Sequence, residues 1–201
     1  MFKLYFSPGA CSLAPHIVLR EADLPFELVR VDLRAKTYPG GDYWKINPKG
    51  GVPALGLSNG EILTEDAVIL QYLADQKPEM NLAPKAGTME RYRLQEWLNF
   101  IATELHKGFG PLWKPNTPED FKPIVIANLS QRFDLVNHQL EKNDFLMGKS
   151  YTIADAYLFT VTRWHQPLKI DLSPWPALGR FMERIKARPA TADAFKAEGL
   201  K

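Results

Sequence analysis

Cys11 is the only cysteine in a chain of 201 residues, and it lies where a short apolar run, residues 4–6, gives way to a helix-like stretch. A thiol at the start of a helix faces unpaired backbone N–H groups and the positive end of the helix dipole, which favour the thiolate. The thiolate is the reactive form, so Cys11 is a candidate nucleophile or mixed-disulfide site. The alternative is a small, half-buried residue at a turn, because free cysteines are commonly buried.

A second candidate feature is the dipeptide Val52-Pro53, directly before a predicted strand. Proline cannot donate to a sheet ladder, so Pro53 marks the first residue of a strand or an edge. A cis bond before Pro53 would expose the backbone N–H and C=O of Val52 to an extended, peptide-like ligand. The trans isomer is the commoner one, and the sequence leaves both open.

Composition excludes several classes of partner. The chain is 45% hydrophobic and 24% charged with a net charge of +2, and its basic residues are scattered, so no nucleic acid partner is expected. No apolar run is long enough to span a bilayer, and no signal peptide is visible. A single cysteine cannot form an internal disulfide, which favours a reducing, cytoplasmic location. No metal site is expected, since there is neither a cysteine pair nor an H-E-x-x-H motif.

The first 76 or so residues mix strand and helix signals. Residues 4–6 and 26–31 are predicted strands with a helix over residues 13–21 between them, which makes a β-α-β unit with a parallel pair. Asn59-Gly60 between two apolar runs predicts a hairpin, and a helix is predicted from Glu65. Residues 34–43 are expected to form a loop or a short irregular helix. Residues 77–88 carry prolines without a clear period and are interpreted as a linker.

After residue 88 the apolar pattern has a helical period only, which predicts an all-helical region. Thr117-Pro118 and Ser173-Pro174 are predicted helix starts, each with a capping hydroxyl and proline at the first helical position. Thr152 and Asp155 have the spacing of a capping box before an apolar helix over residues 156–164. Asp155 is therefore assigned a structural role rather than a catalytic one.

Together these features resemble a cytosolic glutathione S-transferase, and more narrowly the bacterial beta class. The motifs, in order and spacing, are Pro8-Gly9-Ala10-Cys11-Ser12, Asn47-Pro48-Lys49-Gly50, Val52-Pro53-Ala54-Leu55, Thr64-Glu65, Trp97-Leu98-Asn99-Phe100, Glu104-Leu105-His106-Lys107-Gly108 and Ala154-Asp155-Ala156-Tyr157-Leu158-Phe159. The resemblance implies an α/β N-terminal thioredoxin-like domain (βαβαββα) plus an all-α C-terminal helical bundle. The expected domains are residues 1–80, which bind glutathione, and residues 88–201, which form the electrophile pocket.

The resemblance also implies roles for individual residues. Cys11 matches the active-site cysteine that lies against the glutathione sulfur and can form a mixed disulfide with it, and His106 matches a second catalytic residue near the thiol. Imidazole titrates near neutral pH, so His106 suits a base or a hydrogen-bond donor to a thiolate; the alternative is a surface histidine. The expected glutathione contacts are Lys36, Val52 with Pro53, Glu65, Asp66, Asn99, Thr103 and Lys107. Solvated surface roles are the alternative for each lysine.

Two positions depart from the family pattern. Asp66 stands where the family usually has Ser or Gly, and a carboxylate there would repel the γ-glutamyl carboxylate unless it turns away. The backbone N–H at that helix start is retained. Phe6 stands where other members of the wider family have a tyrosine near the sulfur, so a tyrosine-assisted thiolate at that position is excluded.

The second substrate is expected beside the sulfur, against the helical domain, with Phe109, Trp113 and Trp164 as candidates for an apolar wall. Aromatic residues at helical spacing are more often core residues, which is the alternative. The function implied is conjugation of glutathione, as cosubstrate, to small hydrophobic electrophiles by a homodimeric enzyme in detoxification. The alternatives are thiol-disulfide oxidoreductase, peroxidase or dehalogenase chemistry at Cys11, or a non-catalytic ligand-binding protein of the same fold.

Overall fold

The computed structural model describes residues 1–200 and divides the chain into two compact units. The first unit comprises residues 1–83 together with the chain from Ala187 onward, and the second comprises Pro84–Lys186. The helical domain expected from the sequence comprises residues 88–201, whereas in the structure the last helix groups with the first unit. The reason is the buried carboxyl of Glu198, which bonds to His16 in the first helix at 2.7 Å.

A mixed four-stranded sheet in the order β2-β1-β5-β6 forms the centre of the first unit. The central strand β1 (Phe2–Phe6) runs parallel to β2 (Phe26–Arg30) and antiparallel to β5 (Ala54–Gly56), which pairs in turn with β6 (Ile62–Thr64). The parallel pair confirms the predicted β-α-β unit, and the antiparallel β5-β6 pair confirms the hairpin. This is the α/β thioredoxin-like arrangement expected from the sequence.

Residues 34–43 form neither a plain loop nor a helix. They contain a small antiparallel ribbon of β3 (Thr37–Tyr38) and β4 (Gly41–Asp42), followed by a 3-10 turn. The carboxylate of Asp32 accepts hydrogen bonds from two successive amides at the start of this segment, each at 2.9 Å. These two local bonds begin a turn that no hydrophobic pattern indicates. The prediction of a loop or a short irregular helix over residues 34–43 was therefore wrong.

Within residues 1–200, the first unit contains three α-helices, α1 (Leu13–Glu21), α2 (Asp66–Gln76) and α8 (Pro189–Glu198), and a 3-10 turn (Pro78–Met80) after α2. Helix α1 is buried along most of its length and packs against β1, α2 and α8. Its bounds agree with the prediction, and α2 begins one residue after the predicted start because Glu65 occupies the N-cap position. The turn that carries Cys11 is therefore held between β1 and α1.

The second unit is all-helical, as expected. Its elements are α3 (Met89–Phe100), a π-helical segment (Ile101–His106), α4 (Lys107–Phe109), a 3-10 turn (Gly110–Trp113), α5 (Phe121–Lys142), α6 (Ile153–Thr162), a second 3-10 turn (Arg163–His165) and α7 (Pro176–Lys186). Helix α6 is buried throughout and runs through the core. Within residues 1–200, no helix combines the length and the apolar character that a membrane span requires.

The two helices predicted to begin at Thr117-Pro118 and Ser173-Pro174 begin two to four residues later. Helix α5 begins at Phe121 and α7 at Pro176. The hydroxyl of Thr117 donates to the carbonyl of Pro111 at 2.6 Å, so it stabilises the preceding turn rather than capping a helix. Ser173 similarly donates to the side chain of Asp171. The capping box was predicted correctly, although its helix begins earlier than expected, at Ile153.

Candidate functional site

The turn that presents Cys11 is closed by local hydrogen bonds. The amide of Ala10 donates to the carbonyl of Ser7 at 3.0 Å, and the amide of Ser7 donates to the Ser12 hydroxyl at 3.2 Å. Cys11 is only 8% exposed. Its Sγ donates to the backbone carbonyl of Val52, 2.9 Å away. The thiol is thus seated against the segment before β5 rather than projecting into solvent.

The expected preference of Cys11 for the thiolate is not found. Burial raises the pKa of the thiol well above its usual value, and the charge of Asp66 adds to the rise. The backbone N–H groups of Cys11 and Ser12 act in the opposite direction, as a helix start should, but they are outweighed. The amides near Cys11 follow from its position in the sequence, whereas its burial and the facing carboxyl of Asp66 depend on the tertiary structure.

The bond between Val52 and Pro53 is cis, the isomer that the sequence had left open. The carbonyl of Val52 accepts the bond from Cys11. Its amide N–H, in contrast, donates to no protein atom within residues 1–200. Val52 therefore offers one unpaired donor beside the thiol, which is the group that an extended peptide-like ligand would need.

Asp66 is the first residue of α2, and its carboxyl points into the protein. The residue is 5% exposed, and Oδ1 has no hydrogen-bond partner among the described residues. A carboxylate oxygen and the sulfur of Cys11 lie within 4.8 Å of each other. Burial raises the pKa of Asp66 well above its usual range, and the charge of Glu65 adds to the rise.

Glu65 precedes this helix and is exposed, with a backbone φ of +75°. The ammonium group of Lys49 lies 2.7 Å from its carboxylate and 3.0 Å from the hydroxyl of Thr64. Lys49 belongs to a motif quoted above but was not assigned a role. The pairing orients the Glu65 side chain at the start of α2.

Lys36 lies on the loop after β2 and is half-buried. Its ammonium group donates to the carbonyl of Gly50 at 2.7 Å and lies 5.6 Å from the ring centre of Trp44. Gly50 has a φ of +67°, and a Cβ there would meet the Trp44 ring at 2.5 Å, so glycine is needed at this close approach. Lys36 is thus a held cation rather than a freely moving surface lysine.

Two further residues stabilise this loop and were missed by sequence reasoning. The phenol of Tyr43 and the side-chain amide of Asn47 both donate to the carbonyl of Gly51, each at 2.8 Å. Burial raises the pKa of Tyr43 to about 12. The signal for Asn47 was the motif Asn47-Pro48-Lys49-Gly50, whereas nothing in the sequence indicated Tyr43. Gly51 directly precedes Val52, so these bonds fix the entry to the cis peptide.

His106 lies at the end of the π-helical segment in the second unit. Single π-helical turns within α-helices are frequent at functional sites. Its Nδ1 shares a hydrogen bond of 2.7 Å with the phenol of Tyr157, and its ring lies edge-on to Trp164 at 5.0 Å. Tyr157 is buried in α6, the helix that the Thr152-Asp155 capping box begins. Tyr157 belongs to one of the motifs quoted above, but nothing in the sequence indicates its hydrogen bond with His106, 51 residues away.

The other predicted contacts of the second unit lie on α3 and its continuation. Asn99, Thr103 and Lys107 are all exposed, and they recur at four-residue spacing. The hydroxyl of Thr103 donates to the Asn99 carbonyl at 3.0 Å. The three side chains are therefore available for a ligand without rearrangement of the helix.

The three aromatic residues predicted for the apolar wall are packed together. Trp164 lies 5.7 Å from Phe109 and 6.0 Å from Trp113, both edge-on. Phe109 is fully buried, whereas Trp113 is 48% exposed. Phe109 is therefore a core residue, which is the alternative stated for it above, and it packs against Trp164. Trp164 and Trp113 retain exposed apolar surface.

Family comparisons agree with the two-unit architecture. A family model described as the N-terminal domain of glutathione S-transferase matches residues 9–76, and one described as the C-terminal domain matches residues 100–189. The chain is 50% identical over 200 residues to glutathione S-transferase GstA of Escherichia coli O157:H7, and the match covers 99% of this chain and 100% of that protein.

Solved structures give the same result. The crystal structure of a glutathione transferase from Methylococcus capsulatus matches with a TM-score of 0.97 and 59% identity, covering 99% of each chain. A bacterial beta-class glutathione S-transferase from Sphingomonas chungbukensis matches with a TM-score of 0.96 and 44% identity, covering 99% of this chain and 100% of the other. The chain therefore belongs to the glutathione S-transferase family, and within it to the bacterial beta class that the sequence motifs resemble.

Proposed function

We propose that the protein conjugates the thiol of glutathione to small hydrophobic electrophiles, with residues 1–80 binding glutathione. Members of the family are transferases, and this chain is one of them. The observation that carries the proposal is the unpaired N–H of Val52 beside the buried sulfur of Cys11. A peptide bond of a tripeptide supplies the acceptor that this donor lacks, as an added strand does at a sheet edge.

The charges of the first unit also suit the tripeptide. Glutathione carries two carboxylates and one ammonium group. Lys36, held against Gly50 and Trp44, suits a carboxylate, and the Glu65 carboxylate suits the ammonium. The resemblance further assigns Asn99, Thr103 and Lys107 of the second unit to glutathione and His106 to its thiol; these assignments stay predictions.

The reaction requires an ionised glutathione sulfur close to the electrophilic carbon. With a chlorodinitrobenzene as electrophile, the thiolate attacks the ring carbon, a carbon–sulfur bond forms and chloride leaves. The protein contributes by holding the sulfur ionised and near its target. Residues 88–201 would hold the electrophile, with Trp113 and Trp164 as the apolar surface that supports this part of the proposal.

The test measures binding and turnover separately. Calorimetric titration with reduced glutathione should give saturable binding, and a chlorodinitrobenzene should be conjugated in the absorbance assay. Lys36→Met should raise the KM for glutathione at least about tenfold, because a hydrogen bond to a charged group is worth about 1.5–3 kcal/mol. Lys45→Met, an exposed lysine of the same unit, is the matched control. Absence of both binding and turnover would refute the proposal and leave a non-catalytic protein of this fold.

Thiol-disulfide exchange at Cys11 is the second candidate, favoured by the position of its sulfur next to the unpaired Val52 amide. Cys11→Ala separates the two functions. Conjugation should largely persist in this variant, whereas disulfide reduction should vanish, since no second cysteine exists. Disulfide reduction retained by the variant would exclude Cys11 as the redox group.

We also propose that the protein is a cytoplasmic homodimer. Each unit exposes large apolar side chains, Val68 on α2 and Met89 and Tyr92 on α3, which are expected at an interface. Multi-angle light scattering should give a mass about twice the monomer mass, and Tyr92→Glu should lower it. A monomer at all concentrations would contradict the proposal. Fractionation of the source cells tests the location, and recovery outside the cytoplasm would oppose it.

A further inference from the structure

The pair formed by Cys11 and Asp66 is the strongest feature that the proposed function does not use. Both residues are more than nine-tenths buried, and their sulfur and carboxylate oxygen lie within 4.8 Å. The sulfur donates to the Val52 carbonyl, and Asp66 Oδ1 has no partner within residues 1–200. Asp66 forms no ion pair with any described residue of the first unit.

Two acids in one buried site cannot both ionise at low cost, because each charge is desolvated and the charges repel each other. The carboxyl is the stronger acid by several pKa units, so it takes the single charge and the thiol keeps its hydrogen. The other acidic groups of the first unit near the pair are Glu65, which acts on Asp66, and the phenol of Tyr43, which interacts with Cys11. The Glu65 carboxylate opposes a second negative charge, whereas the Tyr43 phenol, with a pKa of about 12, is uncharged below that pH and donates to the Gly51 carbonyl.

We propose that Asp66 is a specificity-determining residue that keeps Cys11 as an unreactive thiol, so that glutathione, and not Cys11, supplies the nucleophilic sulfur. The role of glutathione in this statement rests on the proposed function; the restraint on Cys11 does not. The residue acts through Cys11 and needs no contact with the electrophile.

The reaction that Asp66 suppresses is formation of a mixed disulfide. Cys11 first loses its proton to solvent, and its thiolate then attacks one sulfur of oxidised glutathione. A disulfide bond forms between Cys11 and that glutathione, the original disulfide bond breaks, and the second glutathione leaves as a thiolate. The rate depends on the thiolate fraction of Cys11, which is the quantity that Asp66 lowers.

The test is the rate at which iodoacetamide alkylates the protein, followed by intact mass. Cys11 is the only cysteine, so every added carbamidomethyl group on sulfur reports this residue. Asp66→Asn keeps the shape and removes the charge. If the pKa of Cys11 falls by about one to two units, its thiolate fraction at pH 7 should rise about 10- to 100-fold. A thiolate of lower pKa is a weaker nucleophile, so the alkylation rate at pH 7 should rise by roughly three- to tenfold. Glu79→Gln, an exposed carboxylate of the same unit, should leave the rate unchanged.

A pH profile separates the proposal from simple loosening of the turn. Removal of the restraint moves the midpoint of the alkylation profile to lower pH and does not raise the plateau at high pH. A loosened turn raises the plateau and leaves the midpoint in place. Thiolate absorbance near 240 nm, with Cys11→Ala as blank, measures the same midpoint without any reaction. Should Asp66→Asn fold poorly, Asp66→Ser gives the same comparison.

An unchanged midpoint in both variants would overturn the proposal, as would a raised plateau alone. The last measurement is the rate of the glutathione adduct on Cys11 from oxidised glutathione, which should rise with the alkylation rate. The alkylation midpoint is independent of glutathione, whereas conjugation by the wild-type protein tests only the proposed function. The two can therefore fail separately.

Discussion

Replacing Glu198 should loosen the turn that carries Cys11, although the two residues are far apart in the chain. The Glu198 carboxylate is fully buried and accepts from the Gly9 amide at 2.9 Å and from His16 Nδ1 at 2.7 Å. Arg20 donates to the other ring nitrogen of His16 at 3.0 Å, so Nδ1 carries the hydrogen that Glu198 accepts. The Glu198 carboxylate of α8 is therefore hydrogen-bonded both to α1 and to the turn that carries Cys11.

The expected cost follows from the two hydrogen bonds that Glu198→Ala would remove, one from the buried His16 ring and one from the partly buried Gly9 amide. Each loss costs about 1–3 kcal/mol, so the variant should lose about 2–6 kcal/mol of unfolding free energy. For a chain of this size each kcal/mol lowers Tm by about 2–4 °C, which gives a decrease of at least about 4 °C. Glu198→Gln retains a neutral acceptor oxygen and should lie between Glu198→Ala and the wild type.

Urea unfolding followed by circular dichroism gives the free energy, and iodoacetamide alkylation reports the turn. The plateau rate of Cys11 alkylation at high pH should rise in Glu198→Ala, because Gly9 lies two residues from the thiol. Asp193→Asn, an exposed acid on the same helix, is the matched control. A loss of stability no larger than the control's, with an unchanged plateau, would refute the argument that this carboxylate holds the turn.

Three further outcomes are expected. Asp155→Ala should lose several kcal/mol of unfolding free energy, because the buried carboxylate accepts hydrogen bonds from the amides of Leu146 and Thr152, each at 2.8 Å. Conjugation per folded molecule should persist, and a loss of turnover in correctly folded protein would instead indicate a catalytic role. Tyr157→Phe should shift the midpoint of the pH–rate profile without unfolding α6, because His106 Nδ1 loses its partner, and an identical profile would exclude a positioning role. Asp66→Asn should become more stable relative to the wild type as pH rises. The pKa of Asp66 is higher in the folded protein than in the unfolded chain, where it is about 4, so the protonated carboxyl favours folding at pH values below about 4. The wild type loses this advantage as pH rises through the folded pKa of Asp66, and the Asn variant does not. Paired urea unfolding curves at pH 3.5 and pH 8 measure that gain, which must be absent at the lower pH.

The sequence predicted the elements whose signals are local. The bounds of α1, the parallel β1-β2 pair and the Asn59-Gly60 hairpin follow from period, crossover and turn chemistry. The Thr152-Asp155 capping box was found for the same reason, because all its partners lie within four residues.

Features that depend on distant partners were not predictable from pattern. Thr117 had the type and position of a helix cap, yet its hydroxyl bonds to Pro111 instead, so the helix begins later. Nothing near Glu198 in the sequence indicates that it bonds to Gly9 and His16, which places α8 with the first unit. In each case the deciding contact joins residues that no local window contains.

Cys11 shows most clearly why residue type and position do not determine reactivity. The start of α1 does favour the thiolate through the amides of Cys11 and Ser12, as the sequence argument held. A helix terminus contributes about 0.3–1 kcal/mol at an exposed site, below one pKa unit, whereas burial and a facing acid each shift a pKa by one to several units. The larger effects come from burial and then from the charge of Asp66, and both raise the pKa of the thiol. A thiol at a helix start is therefore a nucleophile only where its tertiary neighbours permit the charge. In this protein the neighbour that opposes it is Asp66, 55 residues further along the chain.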